Sequence, residues 1–430
     1  MPNAINRRTF VMATTGLAAL SLTARIRASR SPNDTVRLGV IGVRSRGTDL
    51  ARGFAKLPGA EVVAVCDVDA SMLASPAKAV EDASGKAPRL ESDFRKLLDD
   101  KSIDAVAIAT PDHWHALLAV FACQAGKDVY TEKPASHNVV EGRRMIEAAR
   151  KYQRVVQLGT QRRSMSHIKD AVQVVQSGDL GKVGMARAWI HQQRKPIGKG
   201  TAGPVPEGVD WNLWQGPAPD RPFMSNRFHY NWHWFWNWGT GEIGNNGIHG
   251  LDVARWGLGV DAPLTVTSSG GKFVFDDDQE VPDTQVVAFE FPNAMLVWEH
   301  RMWSKHPEEG NGFGIAFYGD KGTLVVDEKG WHVADPDGNP PAEPRSGKAN
   351  DGLDAHLNNF LECVHSRNKP NADIEIGHLS TRLCHLGNIA HRVGQKLHFD
   401  ADREAFKDQP EADALLSRKY SSRFAMPESV

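Results

Sequence analysis

The sequence predicts two domains of different classes: an α/β domain with a parallel sheet, then an α+β domain with a large, mainly antiparallel open sheet. Strand-like and helix-like segments alternate as far as residue 157, whereas later strand-like segments follow one another through short turns. The length of 430 residues also exceeds what one ordinary hydrophobic core serves. We place the domains at 34–157 and 158–430, after a separate segment at 1–30.

The segment at 1–30 has the features of an export signal. Arg7 and Arg8 precede a mildly apolar run at 11–20, and small residues follow. This order resembles a twin-arginine signal, whose translocase carries folded proteins, although a disordered basic tail is the alternative. The apolar run is too short to span a bilayer. We expect a periplasmic or secreted protein that uses the twin-arginine translocase and has no stable membrane association.

Composition favours a small-molecule partner. The 51 basic and 52 acidic residues give a net charge of −1, which offers no electrostatic basis for binding nucleic acid or an anionic membrane. Four widely spaced cysteines make no disulfide framework, in agreement with folding in a reducing compartment. They are Cys66, Cys123, Cys363 and Cys384.

The first α/β unit contains a possible dinucleotide-binding turn. A strand pattern at Val36–Gly42 leads to a helical pattern at 48–57, and the intervening Gly42–Gly47 matches the G-x-G-x-x-G fingerprint except at Arg44. An ordinary strand–turn–helix is the alternative, since the motif alone is degenerate. The cofactor-binding candidates here are Gly42, Arg44, Ser45, Arg46 and Gly47.

Asp67 strengthens this interpretation. It ends the next strand pattern, about 20 residues on, where a carboxylate accepts hydrogen bonds from both ribose hydroxyls and repels a 2′-phosphate. The sequence therefore predicts a Rossmann domain that prefers NAD over NADP. Arg44 either points outward or pairs with the pyrophosphate.

A second group of cofactor candidates follows the strand pattern at 103–110. Loops beyond the carboxyl ends of parallel strands are where such sheets bind ligands. We expect Thr110, Pro111, Asp112, His113, His115 and the turn Glu132-Lys133-Pro134 to face the cofactor crevice.

These motifs are similar to those of a known family. A strand ending in Thr110-Pro111, followed by Glu132-Lys133-Pro134, resembles the Gfo/Idh/MocA family of glucose-fructose oxidoreductase and inositol dehydrogenase. The resemblance covers nearly the whole chain after the signal. It implies a carbohydrate substrate, a second-domain sheet that often builds homo-oligomers, and a Lys133 that hydrogen-bonds the hydroxyl or carbonyl being oxidised or reduced. A solvent-facing lysine is the alternative.

The second domain contains consecutive strand patterns and C-terminal helices. The strand patterns lie at 181–193, 264–275, 284–291, 294–303 and 313–336, and the helical patterns at 353–364 and 378–394.

The segment 228–259 has the densest chemistry of this domain. Gly247 to Asp252 resembles the family's substrate-side helix, in which a histidine one turn after an acidic residue serves as acid/base. The resemblance implies that role for His249, suited to work near pH 7. Asn245 occupies the acidic position, so the usual relay is broken or replaced by hydrogen bonding. Asp252 is either structural or a helper, and a buried, structural His249 is the alternative.

Further residues are candidates for sugar contacts. Trp232, Trp234, Trp236 and Trp238 alternate at period two and would share one face of an extended segment. Trp236 and Trp238 could then stack on a sugar, although core packing is equally plausible. Arg162, Gln193 and Arg194 offer polar groups to hydroxyls or to an acidic sugar, or lie at solvated edges. We predict no metal, because His113, His115, His229 and His233 lack a ligand spacing.

Export and NAD together favour a redox-neutral enzyme. A protein exported folded carries its cofactor to a compartment without an NAD pool, so each turnover should restore the starting oxidation state. Sugar-pair oxidoreduction and glycoside cleavage both meet this condition, and the resemblance implies both. Glycoside cleavage needs a further base, with Asp112, His113, Glu242 and His300 as candidates. The alternatives are a sugar dehydrogenase with exchangeable NAD and an inactive cofactor-binding module.

Overall fold

The structure is a computed structural model that describes residues 35–339 and 352–430. The predicted signal at 1–30 lies outside the described residues. The chain from Val36 to Val430 forms one compact unit. In the described ranges, no helix is long and apolar enough to cross a membrane.

The first sheet is parallel and has the doubly wound strand order β3-β2-β1-β4-β5-β6. The order reverses between β1 and β4, which is where such sheets form a ligand crevice. The predicted Rossmann architecture is therefore confirmed. The strands are β1 (Val36–Ile41), β2 (Ala60–Cys66), β3 (Arg89–Glu91), β4 (Ala105–Ile108), β5 (Asp128–Thr131) and β6 (Val156–Leu158).

Helices cover both faces of this sheet, and the central strands β4 and β5 are buried along their whole length. This burial explains why β4, Ala-Val-Ala-Ile, is apolar throughout. The helices of this part of the chain are α1 (Arg46–Lys56), α2 (Ala74–Ser84), α3 (Phe94–Asp99), α4 (Asp112–Gln124) and α5 (Val139–Lys151).

The second sheet has nine strands in the order β13-β12-β11-β7-β10-β9-β8-β14-β15. All its pairings are antiparallel except the central pair β7 and β10, which is parallel. The predicted large, mainly antiparallel sheet is confirmed. The strands are β7 (Val183–His191), β8 (Thr265–Gly271), β9 (Thr284–Glu290), β10 (Met295–Arg301), β11 (Phe313–Gly319), β12 (Gly322–Val326), β13 (Trp331–Ala334), β14 (Leu397–Asp400) and β15 (Ala405–Phe406).

Helices pack on one face of the second sheet. Phe289 and Trp298 from the sheet share a buried core with Leu251 and Leu386 from the helices. Burial alternates along β10, as expected of a sheet with one packed face. The remaining helices are α6 (Ser166–Ser177), α7 (Trp211–Gln215), α8 (Ile248–Leu258), α9 (Gly352–Ser366), α10 (Ile374–Val393) and α11 (Pro410–Asp413).

Helix α9 packs against the first domain, although the sequence assigns it to the second. Leu357 and Phe360 join the core that contains Phe54 and Tyr130. The ring of Phe360 lies 6.0 Å from those of Phe54 and Tyr130. The first core is therefore completed by a distant part of the chain.

Between β7 and α8 the chain crosses to the first domain as a segment that we call the strap, residues 208–234. The amide of Ala70 donates to Gly208 O at 3.0 Å, and the amide of Asp210 donates to Val68 O at 2.9 Å. The strap thus pairs with the loop that follows β2, next to Asp67.

Candidate functional site

A cleft of about 380 Å³ opens at the carboxyl edge of the first sheet, below the strap. It brings together most of the residues that the sequence suggested for cofactor and catalysis. Those that line it are Gly42, Arg44, Ser45, Arg46, Asp67, Thr110, Pro111, Asp112, His115, Glu132, Lys133, Asn245 and His249.

The turn between β1 and α1 requires both of its glycines. Gly42 has a φ of 79°, a conformation that favours glycine. A Cβ on Gly47 would lie 1.8 Å from the carbonyl oxygen of Gly42. Gly47 therefore supports the turn without lining the cleft. The exposed Arg44 and Ser45 form its rim, and the amides at the start of α1 follow.

Asp67 ends β2 as expected and is held by backbone amides. Its Oδ2 accepts from Val43 N at 2.9 Å, and its Oδ1 accepts from Asp69 N at 3.1 Å. Burial raises the pKa of Asp67, and these amides oppose the increase. The two bonds leave acceptor capacity on both oxygens for ribose hydroxyls.

Two orphaned polar atoms support a dinucleotide in this cleft. Among the described residues, the buried Arg46 Nη2 and Thr110 Oγ1 have no hydrogen-bond partner. Buried polar groups in native proteins are nearly always hydrogen-bonded, so we expect a ligand or water to contact these atoms. Together with the glycine turn and Asp67, they fit NAD.

Glu132 and Arg46 neutralise each other beneath Lys133. Arg46 Nε donates to Glu132 Oε1 at 2.7 Å. Burial by itself would raise the pKa of Glu132, but the charges of Arg46 and Lys133 outweigh it and lower the pKa. Glu132 therefore stays ionised and fixes the turn that presents Lys133.

Lys133 reaches across the cleft to the other domain. Its Nζ donates to Asn245 O at 2.8 Å and to Asn245 Oδ1 at 3.4 Å. Within the described chain, no carboxylate lies at ion-pair distance from it. Asn245 belongs to a π-helical turn, Ile243–Gly247, a feature frequent at functional sites.

His249 follows on α8 and also faces the cleft. Its Nδ1 has no partner among the described residues. Burial, reinforced by the cations of Lys133, Arg162 and Arg46, lowers the pKa of His249 well below its usual value. The imidazole is thus neutral at pH 7, the form that can accept a proton.

Asp252 lies away from the cleft. It is 1% exposed and accepts from Arg163 Nε at 2.9 Å and from Ser380 Oγ at 2.6 Å. A carboxylate held in this way serves the packing of α8. Its catalytic role, one of two options in the sequence, is not supported by the structure.

The residues suggested for sugar contacts do not line the cleft. Arg162 is buried over the ring of Phe313, at 4.1 Å. Gln193 forms an isolated antiparallel β-bridge with Trp303. Arg194 pairs with Glu242 at 3.2 Å behind the cleft wall.

The tryptophan alternation does not form a platform. Asn231–Trp234 is a 3₁₀-helix rather than an extended segment, so the four rings do not share a face. Trp238 is fully buried against other aromatic residues, and Trp236 donates its Nε1–H to Glu280 O at 3.1 Å. Core packing is the role that the structure supports.

Other cleft residues were missed as site residues. They come from the strap and from the turn after β6, and they are Gln161, Trp214, His229, Tyr230, Trp232 and His233. The aromatic density of 228–238 was the sequence signal for the four residues from His229 to His233, but it could not reveal which rings face inward. Of the four candidates for an additional base, Asp112 lines the cleft, whereas His113, Glu242 and His300 do not. The described residues contain no cluster of His, Cys, Asp or Glu side chains able to hold a metal ion.

The two-sheet architecture and this cleft define the class as dinucleotide-binding oxidoreductases, and comparisons identify the family. Residues 36–160 match the model for the oxidoreductase family, NAD-binding Rossmann fold, and residues 209–398 match its C-terminal alpha/beta domain. The chain belongs to the Gfo/Idh/MocA oxidoreductase family. The predicted NAD-binding domain is thereby confirmed.

Known relatives of the chain differ in activity. It is 34% identical over 38% of its length to a glycosyl hydrolase family 109 protein of Saccharopolyspora erythraea. It is 33% identical over 34% of its length to inositol 2-dehydrogenase of Salmonella typhimurium. These matches span 37% and 44% of the relatives' own lengths. The fold also matches aldose-aldose oxidoreductase of Caulobacter crescentus, with a TM-score of 0.66, 21% identity and coverage of 85% of this chain and 100% of that one.

Proposed function

We propose that the protein is an exported NAD-dependent oxidoreductase that acts on an uncharged sugar, polyol or glycoside and retains its cofactor through a redox-neutral cycle. One observation carries the proposal: Lys133, Asn245 and His249 line the same cleft as the dinucleotide-binding glycine turn and Asp67. A substrate bound between them would meet cofactor and polar side chains at once.

The residues of the cleft suit work on a hydroxyl group. When bound, NAD would supply a hydride acceptor and, in its reduced form, a hydride donor. The Lys133 ammonium donates a hydrogen bond to the substrate oxygen and stabilises the alkoxide that develops there. The neutral imidazole of His249 offers a ring nitrogen to receive the hydroxyl proton.

Charge pairing favours an uncharged substrate. Two arginines of this region are neutralised: Arg46, which lines the cleft, contacts Glu132 at 2.7 Å, and Arg194 contacts Glu242 at 3.2 Å. Beside Asn245 and His249, a sugar carboxylate would find Lys133 as its counter-charge, because Arg44 lies at the rim beside the glycine turn. We therefore expect neutral sugars to be preferred over uronic acids.

The strap and the relatives support retention of the cofactor. His229 Nε2 lies 2.8 Å from Asp69 Oδ2, so the strap is tied to the cofactor side of the cleft by side chains as well as by backbone. A family 109 glycosyl hydrolase and an aldose-aldose oxidoreductase, by their names, perform reactions without net redox change. The match to inositol 2-dehydrogenase favours the second candidate, a sugar dehydrogenase with exchangeable NAD.

Nicotinamide content and turnover together test the proposal. We expect about one NAD per purified chain, and conversion of glycosides or sugar pairs without added cofactor. Lys133→Ala should keep the bound NAD and lose activity by about 100-fold or more, the usual cost of removing one transition-state donor. Protein that needs added NAD supports the dehydrogenase. Turnover unaffected by Lys133→Ala refutes the catalytic assignment.

Export is a separate part of the proposal, supported by the sequence of residues 1–30. Replacing Arg7 and Arg8 with lysine should retain the protein in the cytoplasm, because the translocase reads the arginine pair. Fractionation of cells that express the full chain measures this. Unchanged export of the lysine variant would argue against the twin-arginine route.

A further inference from the structure

Lys133 is held by an amide rather than by a carboxylate. Its Nζ contacts both the backbone oxygen and the side-chain Oδ1 of Asn245, at 2.8 and 3.4 Å. Asn245 is 7% exposed, and its side chain cannot carry a charge. The orientation of the amide therefore decides whether an oxygen or an NH₂ group faces Lys133.

A buried carboxylate lies directly behind this amide. Glu242 is 1% exposed, and its Oε2 accepts from Asn245 Nδ2 at 3.4 Å. Arg194 Nη2 lies 3.2 Å from the same oxygen. Gln192 and Asn246 donate to Oε1. Because all four groups are donors, Glu242 is held in one position.

The two neighbours of Asn245 allow only one orientation of its amide. A carboxylate accepts hydrogen bonds and does not donate, so it attracts the NH₂ end. An ammonium donates and does not accept, so it attracts the oxygen end. The reversed amide would lose both contacts at once.

We propose that Glu242 is a positioning residue, which acts through Asn245 to hold the Lys133 ammonium at its place in the cleft. Asn245 has no carboxylate, and Glu242 provides one from a position one turn earlier in the chain, behind the cleft wall. Arg194 extends the network, because its Nη1 donates to Tyr230 Oη at 3.2 Å, on the strap side of the cleft. The inference rests on the proposed function for its effect on turnover, but not for its effect on Lys133.

The inference is tested by exchanging the carboxylate of position 242 and the amide of position 245. The variants are Glu242→Gln, Asn245→Asp and the double variant. Two measurements are made on protein as purified: kcat and KM on a substrate, and the rate of Lys133 acetylation by acetic anhydride at one fixed pH, read by mass spectrometry. Acetylation reports how firmly the Lys133 ammonium is held without any substrate, so this readout survives failure of the proposed function.

Each single variant should disturb the contacts of Lys133. Glu242→Gln frees the Asn245 amide to turn its NH₂ toward the ammonium, which should speed the acetylation of Lys133 because the ammonium loses an acceptor. It should also lower kcat about 10-fold or more with little change in KM, the effect of one lost hydrogen bond to a charged group. Asn245→Asp puts two carboxylates side by side and should also reduce kcat. In the double variant the Gln amide donates to the new carboxylate, and most of the lost kcat should return.

Matched control variants distinguish a positioning role of Glu242 from a role in folding. Glu308→Gln removes a carboxylate that pairs with Arg187 at 2.7 Å elsewhere in the second domain, and it should leave Lys133 unchanged. If Glu242→Gln does not fold, Asn245→Ala breaks the same chain while Glu242 keeps its other donors. An unchanged rate of Lys133 acetylation in Glu242→Gln or Asn245→Ala overturns the inference, as does a double variant no better than the poorer single one.

Discussion

Asp67 is the side chain that we expect to set cofactor preference. Two backbone amides fix its carboxylate at 2.9 and 3.1 Å, in the cleft at the end of β2. The orientation comes from the turn itself, so it does not depend on the cofactor. A carboxylate in this position excludes a second negative group.

Replacing Asp67 with serine should therefore relax this preference. We expect affinity for NAD to fall by about 10-fold and NADP to be discriminated against less, because a charged hydrogen-bond acceptor is lost. Fluorescence titration of cofactor-free protein with both dinucleotides measures the two affinities. Asp49→Ser, an exposed change on α1, is the control. Equal selectivity in both variants would rule out contact between Asp67 and the ribose.

At the level of residues, the predictions from sequence were most accurate where the local backbone conformation requires a particular residue type. Gly47 is required by an oxygen five residues earlier, and Asp67 and Lys133 stand at strand ends that place them at one edge. Arg162 and Arg194 were misjudged because their partners, Phe313 and Glu242, are distant in sequence. No local pattern carries that information.

The strap is the element that connects the domains over the cofactor side of the cleft. Its backbone bonds to Val68 and Ala70 and its His229–Asp69 contact all meet the loop next to Asp67. A ligand bound beneath them would leave only after these contacts open. We therefore expect the strap, as well as the cofactor pocket, to slow the release of NAD.

Replacing His229 with alanine should speed the release of NAD. We expect the rate to rise by about 10-fold, the effect of one hydrogen bond with a carboxylate partner. Dilution of loaded protein into an NAD scavenger measures release, and hydrogen exchange of 208–210 reports opening of the strap. His398→Ala, an exposed change on β14, should alter neither. Release that is faster without faster exchange would mean that His229 only touches the ligand.

At the level of elements, long periodic segments were predicted well and irregular ones were not. The strand patterns of β7 to β13 and the helical patterns of α9 and α10 were recognised from their spacing. The parallel pairing of β7 with β10 could not be foreseen, because register depends on contacts between distant segments. The strap was misread because aromatic alternation also occurs in irregular, buried chain.

The whole molecule buries many histidines in neutral form. Burial lowers the pKa of His113 and His385 to about 3 and that of His356 to about 4. Because the folded-state pKa lies below the unfolded value near 6.5, their contribution to stability is complete above that pH and is lost as pH falls. Each should cost about 2 kcal/mol of unfolding free energy at pH 5.

The pH dependence of unfolding should therefore be shallower in His356→Gln. Glutamine can still donate to Leu158 O, which His356 Nε2 contacts at 2.8 Å, but it takes up no proton. Raised pKa values of Asp112 and Glu141 act in the opposite direction, so the comparison is made between variant and wild type. Denaturant unfolding from pH 7.5 to 5 measures both slopes. Equal slopes would show that His356 takes up its proton as readily in the folded protein as in the unfolded chain.

The return of α9 to the first domain also sets the order of assembly during synthesis. The face formed by Phe54 and Tyr130 stays open until Leu357 and Phe360 have left the ribosome. At ordinary elongation rates this is roughly 10 to 40 s after β6 has emerged. The nucleotide-binding half therefore cannot mature as an early, independent intermediate, and both halves close at nearly the same time, when almost the whole chain has been made.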